Sequence, residues 1–511
     1  MEASEMEDDS QGKKEEGLNE NKDEKEITVK EEDNDLLKSL EEERRRFSLL
    51  KPLPTLLILS IGPLLTSVGT ALHDSCDLLV ISEAYGSYGV SVAGLSSLIR
   101  FFCVGVSLFF GTAATIKIST LIGQNRQQEA RQVIADLFRI AIIVSIPAAI
   151  IIYFITEPVL KYMNCPEFIR KDSISYILPI IVTLPTTVML QLSMGVIQGE
   201  GRSVLCGILQ LGVFILNCCV FAPIIEIAAK APIKWSGVPY TLAHGIPGII
   251  LMVLIFQGTF SIKPTWSMWG RKFGHEIWDA LKNASSFLIF LLANTFPPML
   301  LMHYLLGAAG SIGQLENVNN SFNVLMKVQA FVNSFSTGIS QGFMTSGSYC
   351  HGAREIDRWV KLLLWALLIS FILQIIFIPI IVPKPWIVGK IWLNSPEEEY
   401  YSNKIIRIPF YTNFLFSVNE MTNTCCMSVG KGWAPYVPAV IKGILTIVAS
   451  IGLYYTGKSE PVRIVYVYNI LDAATFIIDV IFVFVIILPY IKKEKLLNEN
   501  DQSSQISEEM Y

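Results

Sequence analysis

Between Leu49 and Pro489 the chain is a close succession of apolar runs, each long enough to cross a lipid bilayer. A hydrocarbon core of about 30 Å takes about 20 apolar residues of helix, whereas a closed barrel shows short segments of alternating hydrophobicity. The runs here are continuous, and a helix is the one way to pair every backbone group within a segment surrounded by lipid. Composition agrees, with 51% hydrophobic and 17% charged residues against roughly 25% charged in soluble domains. An all-α polytopic membrane protein of about twelve helices is expected.

Spans are expected near residues 53–82, 89–122, 133–155, 173–198, 204–226 and 236–257, then 285–306, 318–350, 359–382, 404–430, 436–456 and 463–490. Residues 1–48 are Glu, Lys, Asp and Asn with scarcely an apolar side chain, so they cannot bury enough surface to offset the entropy of ordering. They are expected to form a disordered tail, with a second short tail at 491–511. The N-terminal stretch has no short apolar segment of the kind a cleavable signal carries, so the first span is expected to direct its own insertion. Between spans six and seven, residues 258–284 are basic and tryptophan-rich, with Trp266, Trp269 and Trp278. This segment reads as an interfacial connector between two six-helix lobes, 49–257 and 285–490.

Basic residues flank alternate spans: Arg44, Arg45, Arg46 and Lys51 before the first, Arg126 and Arg131 after the second, Lys263, Arg271, Lys272 and Lys282 in the connector, Arg354 and Arg358 after the eighth, and Lys492, Lys493 and Lys495 at the end. By the positive-inside rule both termini are expected in the cytoplasm. The formal net charge of −5 comes mainly from the tails and implies no nucleic-acid partner. The nine cysteines lack metal-ligand spacing with the five histidines and read as small packing residues. No metal and no cofactor is expected.

The two lobes repeat each other's punctuation. A glycine closes the apolar run of span two at Gly123 and that of span eight at Gly352, 229 residues apart (352 − 123). After spans four and ten come "QGEGRS" and "SVGKGWA", which pair Gly199 with Gly430 and Gly201 with Gly432, each 231 apart (430 − 199 and 432 − 201). Two landmarks in the same order indicate parallel repeats related by an axis along the membrane normal, an architecture of transporters.

With these residues in view, the chain resembles the multidrug and toxic compound extrusion (MATE) family. The resemblance rests on Pro63 followed by Asp77 in span one, "GTAATIKISTLIG" ending at Gly123, "MGVIQGEGRS" closing span four, "GVPYT" at 237–241 and "GISQGFMTSGSYCHG" at 338–352. It implies a two-lobed exporter that couples efflux of small organic, often cationic compounds to inward flow of H⁺ or Na⁺, one chain working alone. It places the coupling ion at Asp77, with Asn217 and Thr241 supplying neutral oxygens. Three departures stand out: Phe221 where an acid usually follows the span-five asparagine by four residues, Met344 and Thr345 in place of glutamine and proline in span eight, and Asn469 opening the "PxxD" of span twelve, where only Asp472 is kept. With Phe221 there, Asp77 is expected to be the only acid at that site.

An ionisable side chain at membrane depth costs about 2.5 to 3.5 kcal/mol on insertion scales, so each invites a function. Besides Asp77, this sets apart His73, Asp74, Lys117, His303, Lys327, Glu420, Asp472 and Asp479. Lys117 and Lys327 either pair with acids to hold a lobe together or line a cavity. Glu420 and Asp472 are candidates for drawing in a cationic substrate, and Phe101, Phe102, Tyr304, Phe331 and Phe335 for offering it a π-face. A lipid-linked sugar flippase of the same broader superfamily is the neighbouring alternative and would need a cavity with an excess of bases. A membrane-embedded enzyme would need converging His, Asp or Cys groups, and ATP-driven pumping a phosphate-binding GxxxxGK. The sequence shows neither pattern.

Overall fold

The computed structural model describes residues 46–509 apart from 164, 309–311, 392–395 and 457–460. At 87, 90, 98, 286–287, 290–292, 294–295, 306–308, 312–316, 461 and 500–509 only the backbone course is described. The bulk of the N-terminal tail and the last residues of the C-terminal one lie outside the described residues.

Twelve helical passages follow in the expected order. The first two are one continuous helix, Pro52–Gly123, broken only at Gly86, whose φ of 65° is open to glycine at no steric cost. Then come Gln127–Tyr162, the pair Glu167–Val182 and Leu184–Gly199, Ser203–Ala228 and Ile233–Gln257. The second set runs Glu276–Ala308, Ile312–Gly352 and Ile356–Ile381, then the pieces Pro396–Ile405, Arg407–Phe410 and Leu415–Ser428, then Tyr436–Thr456 and Val462–Glu499. Among the described residues, eight of these pass length and hydropathy tests for a span, or nine if the fourth, bent by 53° at Thr183, counts as one. The outward faces are apolar and exposed, for example Ile143, Ile146, Ile150 and Phe154 on the third passage, as a lipid-facing surface requires.

Helices in lipid gain nothing from burying apolar side chains against one another and associate instead through close backbone approach at small residues. Spans two and four show how. A side chain on Gly111 or Gly195 would run into the facing backbone, Thr115 donates to the Gly195 carbonyl at 3.1 Å, and Ser119 donates to that of Gly199 at 3.0 Å. Spans two and eight meet in the same way: a Cβ on Gly123 would strike the Tyr349 carbonyl oxygen and one on Gly352 that of Thr120. The contact is reciprocal, as two repeats related by a two-fold axis demand.

The repeat offset itself needs one correction. The residues that share a left-handed backbone are Gly201 (φ 75°) and Gly430 (φ 73°), 229 apart (430 − 201), and likewise Asn125 (φ 58°) and Arg354 (φ 56°) (354 − 125). Each ends its helix with the same pair of backbone hydrogen bonds, reaching back three and five residues. All three landmarks therefore share the 229-residue offset of Gly123 and Gly352. The pairing of Gly199 with Gly430 and Gly201 with Gly432 is out of register by two, because the chain repeats the left-handed position and not the GxG spelling.

The connector is short and folded back. Trp266 stacks on Phe256 at 4.3 Å, Arg139 lies 4.2 Å over the Phe273 ring, and Gly274 donates its N–H to Asp136 at 2.9 Å. Glu276, where span seven begins, is held by Lys117 and by Arg126. Lys117 is thus a structural tie between span two and the second half.

Candidate functional site

The two halves touch at both ends of the bundle and part in the middle. At the end carrying Gly123 and Gly352, Gly338 and Gly342 also press against Leu64 and Ser60 of span one. At the other end Leu160, Met163 and Cys165 share an apolar cluster with Leu301 and Leu305, and the His303 ring stacks on Tyr162 at 4.6 Å while its Nδ1 lies 2.7 Å from the Tyr162 carbonyl oxygen. Between these layers is a cavity of about 320 Å³ lined from both halves. Its walls are chiefly aromatic and apolar, with Phe101, Tyr176, Phe322, Phe416 and Tyr468 among them. They carry three acids, Asp74, Asp77 and Asp472, and three bases, Arg100, Lys327 and Lys442.

On the first-half wall the charges form a small network. Asp77 is 6% exposed and Arg100 also 6%. The Arg100 guanidinium donates to Asp74 at 2.6 Å and reaches within 3.8 Å of Asp77, and it lies 5.5 Å from the Tyr240 ring. Tyr176 donates to Asp77 at 3.5 Å. One cation therefore serves two carboxylates. Asn217 is fully buried with its amide nitrogen 2.7 Å from His73 Nε2, and His73 Nδ1 is 3.5 Å from Asp74. Asn217 thus joins the network through His73 and Asp74. Thr241 bonds to the Gly237 carbonyl and accepts from Thr183 at 3.3 Å, with no bond to Asp77.

On the second-half wall Asp472 accepts from Thr412 at 2.7 Å and lines the cavity. Glu420 is buried and does not line the cavity, accepting from Ser340 at 3.4 Å, and Asp479 accepts two bonds of 3.2 Å from Asn419. Phe331 packs edge-on against Phe335 and Phe377, and Tyr304 lies tilted against Tyr454; neither lines the cavity. Of the aromatic candidates, Phe101 does.

Sequence reading did not single out Arg100, Lys442 or Glu226. Each is a lone ionisable residue in an apolar run, "SSLIRFFC", "AVIKGIL" and "PIIEIAA", and so carries the same signal that marks Asp77. Nor is Asp77 the only acid at its site, since Asp74 shares Arg100 with it.

Residues 64–222 match the MatE family model. No curated protein matches the chain. Among solved structures, it is similar to a MOP-superfamily transporter from Pyrococcus furiosus whose binding pocket is described as being of reverse polarity, with a TM-score of 0.75 and 15% identity over 87% of this chain and 97% of that one. It is similar also to the outward-facing conformation of a multidrug-resistance MATE transporter, with a TM-score of 0.74 and 15% identity over 87% and 97%. A MATE structure in complex with MaL6 matches with a TM-score of 0.74 and 14% identity over 87% and 98%. The family model in the first half and the fold of the whole point the same way: residues 64–222 match the MatE family, and the chain shares the fold of these solved transporters.

Proposed function

We propose that this transporter exports small organic compounds, cationic ones among them, in exchange for H⁺ or Na⁺. The observation that carries the reading is the cavity itself, bounded by both halves, walled by aromatic side chains, and holding carboxylates from each half. Contacts between the halves above and below it are built from small residues on one side and an apolar cluster on the other. Rocking one half against the other can open either layer while the opposite one stays shut, which is the mechanical content of alternating access. Asp77 is the group on which an entering ion acts, with Asn217 and Thr241 nearby in the same lobe. Asp472 faces the substrate, and Glu420 adds negative charge within the same half. One chain suffices, and both termini face the cytoplasm.

The flippase alternative calls for a cavity with more bases than acids. The lining carries three of each, which favours the exporter. In proteoliposomes loaded with a fluorescent organic cation and free of nucleotide, an imposed proton or sodium gradient is expected to speed dye movement several-fold over protein-free vesicles. No acceleration by either gradient would overturn ion-coupled export.

A further inference from the structure

The charges on the cavity wall are divided unevenly between the halves. The first half contributes Asp74, Asp77 and Arg100, a formal −1 (1 − 2), and the second contributes Asp472, Lys327 and Lys442, a formal +1 (2 − 1). Arg100 is committed to Asp74 and Asp77, and Asp472 accepts from Thr412. Lys327 stands apart from these. Among the described residues it makes no ion pair and no hydrogen bond, yet it lies within a membrane-spanning helix and lines the cavity. A charge kept at such depth without a protein partner is a standing invitation to a ligand of opposite sign.

Span eight shows how the ammonium is set there. Asn323, Met326, Lys327, Ala330 and Asn333 follow one another at steps of three and four residues, so they share one face of the helix, and all five line the cavity. Side chains on a helix lean toward its N-terminus, which brings Lys327 over Asn323, one turn earlier. Asn323 gives one N–H to Asn319 at 3.5 Å, leaving its second as a donor. Further along the same face, Asn333 accepts from Asn413 at 2.9 Å through its oxygen, which leaves its own N–H groups unspent. An ammonium flanked by amide N–H groups is the complement of a carboxylate, which takes charge-assisted bonds from the first and ordinary ones from the second.

We propose that Lys327, with Asn323, seats the carboxylate of a substrate, so that the cavity takes organic zwitterions. Their cationic end faces the acids of the wall and their anionic end faces Lys327. The inference rests on the exporter reading above and narrows its substrate; Lys327 is the residue that sets the preference.

The test uses two dyes of one chromophore, a rhodamine with a free carboxylate, which is a zwitterion, and its ethyl ester, which is a cation of nearly the same size. Binding of each to the purified full chain is read by fluorescence anisotropy with no ion gradient. The wild type is expected to bind the carboxylate dye about tenfold more tightly than the ester, the worth of one charge-assisted hydrogen bond. Lys327→Met keeps the length of the side chain without its charge and is expected to bring the two dyes level. Lys327→Arg is expected to retain a preference for the carboxylate, and the wild-type comparison decides the matter by itself if Lys327→Met folds poorly. Equal affinity of the wild type for both dyes overturns the proposal, as does an undiminished preference in Lys327→Met. Equal weakening of both dyes by Lys327→Met also overturns it, since Lys327 would then hold the wall together and read no carboxylate. Failure of an imposed gradient to move either dye in proteoliposomes sinks ion-coupled export and leaves the binding preference standing.

Discussion

Asp77→Asn is expected to bring gradient-driven dye transport close to background while leaving the protein folded and in the membrane. The substitution keeps the volume of the side chain and removes its charge. Asp77 sits 3.8 Å from Arg100 and 3.5 Å from Tyr176 on the cavity wall, so the neutral amide can still accept from both and the wall should hold its shape. What it cannot do is hold an ion by charge and release it on the other side. Substrate binding, read by fluorescence anisotropy of the dye, should change little. Asp77→Glu retains the charge with one more methylene and should keep part of the transport. Wild-type gradient-driven transport by Asp77→Asn would move the coupling role to other acids, with Glu420 and Asp472 next in line.

Arg100→Leu should do more damage, and of a different kind. Arg100 is buried and is the one cation bonded to Asp74 among the described residues, with Asp77 within ion-pair range as well. Removing one partner of a buried ion pair costs about 3 to 5 kcal/mol, because the remaining charge is stranded, and this is a large share of the 5 to 15 kcal/mol by which folded proteins are typically stable. The expected result is a sharp fall in folded protein and a melting temperature lower by many degrees. The double variant Asp74→Asn with Arg100→Leu removes both ends of the pair and should recover much of the loss, since the two positions are coupled. Equal instability of the single and double variants would mean that Arg100 matters for packing against Tyr240 and not for charge.

The succession of spans was legible because hydropathy is a local property, and each apolar run reports its own solvent. The interruptions were not. Span four bends at Thr183, and span ten breaks between Phe410 and Leu415, where the apolar pattern runs on and only packing decides the backbone. Span five shows the same limit, since Pro223 marks an interruption in "NCCVFAPIIEIA" but not the π-helical winding from Leu216 to Ala228. The repeat was visible as glycines but its register was not. Arg354 takes the left-handed position that Asn125 holds in the first half, and no comparison of letters pairs those two.

The site was legible in its acids and obscure in its pairings. Asp77 and Asp472 stand out as charges in apolar runs and both line the cavity. That Arg100 answers Asp74 across 26 positions, or that Asn217 reaches His73 across 144, is a matter of tertiary geometry alone. Phe331 and Tyr304 illustrate the converse, since an aromatic ring in a span says nothing about whether it turns toward the cavity or toward another ring. Lys327 resolves toward the cavity and Lys117 toward an ion pair, two outcomes that identical side chains in similar runs leave open.

The central claim is that one cavity serves both faces of the membrane in turn, and thiol labelling tests it most directly. Gln329 lines the cavity at the position 229 residues beyond Arg100 (329 − 100). In a chain whose native cysteines have been replaced, Gln329→Cys is to be treated with a membrane-impermeant thiol reagent in right-side-out and in inverted vesicles. Alternating access predicts modification from both faces, slowed from both by bound substrate. Reaction from one face only, under every ion gradient and with or without substrate, would contradict it.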